Sequence, residues 1–262
     1  MTLYKFTAQT GGKRVRPARA LLLFGLGSLL LGQSYPFQLG EELVYNISFR
    51  YLKAGESTTT VTYDLTTSQD TVIHIVSRTQ SIGLLEYLYP VRDSIDVWLD
   101  HVTLTLRQQR KAIHEGSYQK RFLGYIDPGK RLAISGQDSL ELPGPVYDPL
   151  GSIYYLRTSS LAMGEEFHLT IYDNHRLRYI AVKVTRQERI KVPAGEFVCF
   201  VLDPTPRDEK PPIRAGSVLR VWISATADRL PVRIEQKTRI GTMVMRLREV
   251  RSLNSPRSQS SH

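Results

Sequence analysis

From Leu43 onward, apolar residues recur at every second position, in short runs separated by Gly, Pro, Asp and Asn. Leu43, Tyr45, Ile47, Phe49 and Tyr51 share one parity; Val44, Asn46, Ser48 and Arg50 share the other. A period of two sends successive side chains to opposite faces of a strand. The pattern returns in 57–65, 71–77, 94–99, 104–112, 116–126, 167–172, 177–189, 197–202, 219–224, 232–239 and 242–250. About a dozen strands in succession predict a mainly β chain, an antiparallel open barrel or two-sheet wrap. Lys53-Ala54-Gly55 reads as the first hairpin connection.

Two segments break the alternation. Asp148-Pro149 opens a helix, because Asp accepts from free N–H groups as a cap and Pro suits the first helical position. Leu150, Ile153, Tyr154 and Leu161 then form an apolar stripe, with Arg157 toward the end. Ser81–Tyr89 is a shorter helix closed by Pro90. Residues 203–216 are rich in Pro and charge and read as a loop; 251–262 are rich in Ser and Arg and read as a disordered tail.

The N-terminus has a different pattern. Lys13, Arg14, Arg16 and Arg19 precede the apolar run Ala20–Leu31, and the next acid is Glu41. A basic stretch, a short apolar run and then small residues form a secretory leader, here 1–34, with cleavage expected after Ser34. Twelve residues span about 18 Å as a helix, short of the roughly 20 apolar residues a bilayer core needs. No stable transmembrane anchor is expected. No Cys lies near the cut, which disfavours lipidation. Export to the periplasm or cell envelope follows, with one β domain over 35–250.

Gly40-Glu41-Glu42 recurs as Gly164-Glu165-Glu166, and Val97-Trp98 as Val221-Trp222. Both pairs are separated by the same number of positions. Two related halves, 38–147 and 148–250, would explain this; ordinary strand composition explains it as well.

Charge changes the picture little. The formal +10 includes five Lys and Arg in 1–34, leaving 30 basic against 25 acidic residues. The remainder is mildly basic and spread out, with no nucleic-acid module or stripe, so no nucleic-acid partner is expected. Tyr118, Lys120, Arg121, Phe122, Lys130 and Arg131 form the best anionic-surface candidate, against the plain reading of solvated strands and turns. Cys199 is the sole cysteine, inside the apolar run Phe197–Val201, and reads as a buried thiol.

Chemistry-bearing motifs are missing from the chain. The six His lack metal spacing; His168 and His175 face each other across a hairpin at most. There is no phosphate loop, nucleophile elbow or His-Glu-x-x-His helix. No catalytic residue, metal or cofactor is assigned. The aromatic residues say more: Trp98, Tyr154, Tyr155 and Trp222, with Arg157, fall on or beside the helices and are the candidate ligand-binding residues. Each aromatic joins an apolar face to a polar tip, which suits a lipid or glycan groove, and equally suits a filled interior.

Four elements resemble one bacterial family, domain of unknown function 3108. They are Gly40-Glu41-Glu42-Leu43-x-Tyr45 with Gly55, and Asp148-Pro149-Leu150-Gly151-x-Ile153-Tyr154-Tyr155-Leu156-Arg157. The others are Glu188-x-x-x-Val192-Pro193-Ala194-Gly195-Glu196-Phe197, and Val221-Trp222-Ile223-Ser224 with Asp228-Arg229-Leu230-Pro231-Val232-Arg233-Ile234. The likeness covers about 38–250. It implies an exported, largely β protein of Gram-negative bacteria and supplies no reaction. The same residues have structural explanations: Gly195 for a positive φ, Pro231 at a strand start, Arg157 and Arg233 for carboxylate pairs.

The leading expectation is a non-enzymatic envelope binding module holding an apolar or amphipathic ligand in a concave sheet. A scaffold for an envelope protein partner and a hydrolase of envelope polymers stay open beside it.

Overall fold

The computed structural model describes residues 35–65, 71–207, 218–238 and 241–252. The expected leader, most of 203–216, and 253–262 of the expected tail lie outside them.

Among the described residues, fourteen antiparallel strands make one sheet that does not close. In chain order they are β1 (Glu41–Phe49), β2 (Leu52–Leu65), β3 (Thr71–Ser81), β4 (Arg92–Asp100), β5 (Leu106–Glu115), β6 (Tyr118–Asp127), β7 (Leu132–Ser135), β8 (Asp138–Glu141), β9 (Glu166–Asp173), β10 (Arg176–Val192), β11 (Gly195–Pro206), β12 (Val218–Ser224), β13 (Pro231–Thr238) and β14 (Gly241–Ser252). Two helices interrupt them, α1 (Gly83–Leu88) and α2 (Pro149–Thr158). The sheet runs from β8 down to β1, then from β14 down to β9, so first and last strands meet in the middle. The expected mainly β open architecture is the one observed.

Several details differ from the sequence reading. The first hairpin turns at Arg50 and Tyr51, both at positive φ, and Lys53–Gly55 lie inside β2. β11 extends to Pro206, so 203–206 are strand. Pro204 and Pro206 pair with Val182 and Ile180 of β10, while β12 pairs no further along than Leu202. A missing N–H is tolerated on such an edge. β14 reaches Ser252, past the expected domain end. β7 and β8 were not foreseen; four residues each carry too little alternation. α2 ends at Thr158, short of Leu161.

Shifting β1–β6 by 124 positions carries each onto its counterpart among β9–β14, with ends agreeing within three residues. The turn Arg50 (φ 47°), Tyr51 (φ 72°) falls on Asn174 (φ 47°), His175 (φ 61°), and Gly40 (φ 82°) on Gly164 (φ 84°). The Glu41 N–H donates to the Gln38 carbonyl at 3.0 Å, and the Glu165 N–H to Ala162 at 3.1 Å. β7, β8 and α2 lie between the two six-strand runs.

One sheet face is filled by its own side chains. Val61, Ile73, Ile75, Val97, Leu99, Leu106 and Phe122 pack with Phe37, Tyr154 and Tyr172. Phe200, Leu202, Val221 and Ile223 pack with Leu156 of α2. α2 is therefore the shared lid of both runs. Its start follows the cap chemistry: the Asp148 carboxylate accepts from the Gly151 N–H at 2.5 Å, with Pro149 at the first helical position. Gly151 lets the helix approach β4, since a Cβ there would sit 2.8 Å from Leu99 Cδ2. Lys111 pairs with Asp173 and lies 3.8 Å from Asp148, tying β5 to β9 and the helix cap.

Candidate functional site

Strand register builds a polar surface on the face opposite that core. Across β2, β3 and β4 the rows are Thr62–His74–Trp98, Thr60–Val76–Asp96, Thr58–Arg78–Ser94 and Glu56–Gln80–Arg92. The last two rows line a cleft of about 380 Å³ together with Ser57–Thr79–Asp93, the row between them, whose parity is that of the core residues. Hydroxyl, amide, guanidinium and carboxylate groups of both signs face this space.

The neighbouring row is cross-linked to the cleft through Arg78 and Ser94, which line it. Asp96 is almost fully buried and accepts from four side chains: Arg78 at 3.2 Å, Arg110 at 3.1 Å, Ser94 at 3.1 Å and His74 Nε2 at 3.2 Å. Burial alone would raise its pKa; Arg110, Arg78 and Ser94 outweigh that and hold it below the usual carboxylate range. A carboxylate so occupied orders its neighbours and has little capacity left for proton transfer. His74 stacks on Trp98 with ring centroids 4.4 Å apart, and burial lowers its pKa despite Asp96. The Trp98 indole N–H donates to Asp64 at 2.9 Å, and the Arg110 guanidinium lies 5.4 Å from the ring.

Of the five residues nominated from sequence, Trp98 belongs to this surface. Trp222 occupies the corresponding place on β12. Its indole N–H donates to Glu188 at 3.2 Å, and Arg233 lies 4.6 Å from its ring. Asp64 and Glu188 are again 124 apart. Trp222 packs among Cys199, Val201, Ile190 and Leu247. Burial pushes the Cys199 thiol up to about 12, which makes it an inert core group.

Tyr154 and Arg157 come together elsewhere, in a buried node. Arg157 donates to both Glu41 oxygens, at 2.6 and 2.8 Å, and to the Asp228 carbonyl at 3.0 Å. Its guanidinium sits 5.1 Å from Phe37 and 5.0 Å from Tyr154. Burial would lower the Arg157 pKa; the Glu41 carboxylate outweighs it and raises it. The Tyr45 hydroxyl donates to the Pro231 carbonyl at 2.9 Å beside it. Tyr155 faces Tyr147, centroids 4.6 Å apart. Three of the four resembling elements thus meet at one ion pair. The fourth is held close by, where the Ala194 N–H donates to Leu247 at 3.1 Å. These motif residues do structural work.

The cleft itself was not read from the sequence, because its rows exist only once register is known. Asp93 lines it, and burial raises its pKa. Burial and Asp93 together raise that of Glu115. Among the described residues, no group of three or more His, Cys, Asp and Glu side chains is placed to hold a metal ion. None of the described helices is long and apolar enough to cross a membrane.

No functionally curated protein matches the chain. Among solved structures it resembles a β-barrel-like protein of domain-of-unknown-function family 1849 from Brucella abortus, with TM-score 0.52 and 10% identity over 83% of this chain and 99% of that one. It is also similar to a candidate lipoprotein from Parabacteroides distasonis, with TM-score 0.34 and 15% identity over 83% and 97% of the two chains. A candidate exported protein with a YmcC-like fold from Bacteroides fragilis gives TM-score 0.33 and 14% identity over 83% and 98%. The first likeness supports the barrel-like fold. The family model described as "Protein of unknown function (DUF3108)" matches residues 44–248, and the chain belongs to that family.

Proposed function

We propose that the protein is a non-enzymatic binding module exported to the cell envelope, and that its ligand is a polar glycan seated in the β2–β4 cleft. The observation that carries this reading is the pair of cross-strand rows Thr58–Arg78–Ser94 and Glu56–Gln80–Arg92 lining an open space of about 380 Å³. Paired hydroxyl, amide and charged groups on rigid strands match the many donors and acceptors of a sugar. The apolar face is occupied by the core, which favours a polar ligand over a lipid tail. Export rests on the basic-then-apolar pattern of 1–31.

Titration calorimetry with soluble envelope glycan fragments tests the assignment. Gln80→Ala and Thr58→Ala are expected to weaken binding about fivefold or more each, on the scale of one lost hydrogen bond. Unchanged affinity in both variants contradicts it.

A second reading draws on Asp93 and Glu115, both with raised pKa. Such a pair can serve glycoside hydrolysis, with one acid kept protonated. Turnover of a glycan polymer that disappears in both Asp93→Asn and Glu115→Gln would favour the hydrolase; binding without turnover favours the module.

A further inference from the structure

Three turns along one rim of the sheet expose aromatic and aliphatic side chains instead of polar ones. The β1–β2 turn presents Tyr51, 98% exposed, and Leu52. The β3–β4 connection contains α1, whose residues are all unburied; Leu84, Tyr87 and Leu88 point to solvent, Tyr87 at 87% exposure. The β5–β6 turn presents Tyr118. These turns are neighbours. The Ile82 N–H donates to the Ala54 carbonyl at 3.1 Å, and the Gly116 N–H to the Pro90 carbonyl at 2.8 Å.

α1 is fixed to the sheet by its polar side. Glu86 takes hydrogen bonds from Ser81 and Arg92, and the Ser81 hydroxyl accepts from the Val91 N–H at 2.8 Å. The helix is thus held with its leucines and tyrosine outward, and its acid is already neutralised. Cations flank the apolar tips: Lys53, 3.6 Å from Glu56, follows the first turn, and exposed Lys120 and Arg121 follow the third.

We infer that this rim docks on the surface of an anionic phospholipid bilayer. Protruding tips of Tyr and Leu match the water–hydrocarbon boundary, where tyrosine's amphipathic ring is favoured. Lys53, Lys120 and Arg121 meet the headgroup phosphates, each adding attraction that falls off within a Debye length. Exposed apolar side chains gathered on neighbouring turns mark an interaction surface, and the flanking positive charge selects the lipid surface over a second copy carrying the same charge. This inference is independent of the cleft assignment.

The test is a Tyr87→Trp variant of the full chain, read by fluorescence with vesicles of phosphatidylethanolamine and phosphatidylglycerol in a three-to-one ratio. The native tryptophans are buried, so the indole at position 87 reports the rim locally, whatever 1–34 does. Docking predicts a blue shift, quenching by brominated lipid, and weaker effects with phosphatidylcholine alone or in high salt. Adding Leu84→Ser and Leu88→Ser, with an unchanged melting temperature as the folding control, should lower affinity about tenfold or more, by the apolar area removed. An indole that stays open to aqueous quencher beside vesicles overturns the inference. So does a concentration-dependent dimer, abolished by the serine changes, that shields the indole without lipid.

Discussion

The two tryptophans sit in matching places in the two six-strand runs, yet their surroundings differ. Each indole N–H meets an acid 34 residues earlier, Asp64 for Trp98 and Glu188 for Trp222. Around Trp222 the cross-strand neighbours are Val201 and Arg233; Cys199, Ile190 and Leu247 form an apolar cluster with it, and the Arg233 guanidinium lies 4.6 Å from its ring. Around Trp98 they are His74 and Gln108, with Asp96, Arg78 and Arg110 close by. We propose that the runs are copies of one unit whose tryptophan surroundings have diverged, with Cys199, Val201 and Leu247 packed with Trp222 and His74, Gln108 and Asp96 around Trp98. The difference teaches where to look for function: at the run whose tryptophan stacks on a histidine beside a buried carboxylate instead of packing into an apolar cluster.

Breaking what joins the runs should have the largest effect. Arg157→Ala strands the Glu41 carboxylate in a buried site, and a loss of about 3–5 kcal/mol in chemical denaturation is expected. Arg157→Lys should recover little, because the bidentate contact needs the guanidinium plane. A change under about 1 kcal/mol would show that α2 does not clamp the runs.

Next comes the direct contrast. Trp222→Ala should cost about 3–5 kcal/mol, as expected for a sealed core ring. Trp98→Ala should cost less by about 1 kcal/mol or more, since its ring is the more open of the two, 8% exposed against 2%, and stacks on a histidine that water can reach once the ring is gone. Equal losses would erase the distinction between the two faces.

Acidification sharpens the contrast from the polar side. His74 binds its proton more weakly in the folded chain than its ordinary value of 6.5, because burial outweighs Asp96. Between 6.5 and that lower value the unfolded chain holds more protons. Stability is therefore full above about 6.5 and falls as pH drops toward the folded pKa. Melting temperatures across this range should show the dip in the wild type and lose it in His74→Gln. The Trp222 surroundings offer no such group among the described residues.

Cys199 gives the smallest effect and a clear readout. With its thiol pushed up to about 12, it should resist alkylation at neutral pH until the protein unfolds. Rapid labelling of the native protein would mean the Trp222 cluster is open.

Much of the fold was legible because alternation in β1–β6 and β9–β14 is strong and the Asp148-Pro149 start follows cap chemistry. What stayed hidden depends on partners far along the chain. Glu41 and Arg157 both stood in quoted motifs, but their contact spans 116 positions. The Arg50–Tyr51 turn escaped notice because it uses positive φ without glycine, while Gly55 suggested the wrong place. Gly55 instead marks a close crossing, where a Cβ would lie 2.5 Å from the Gln80 carbonyl. The aromatic residues pointed to ligand contact, yet Tyr154 and Trp222 are packed inside. The cleft is lined by Thr, Gln, Ser, Arg, Glu and Asp, types common on any solvated strand.

The most direct test of the account is an amide chemical-shift map with envelope glycan fragments, comparing β2–β4 with β10–β12. The account predicts perturbations at Thr58, Gln80 and Ser94 and none at Val201 or Trp222. Shifts confined to β10–β12, or spread equally over both runs, would contradict it.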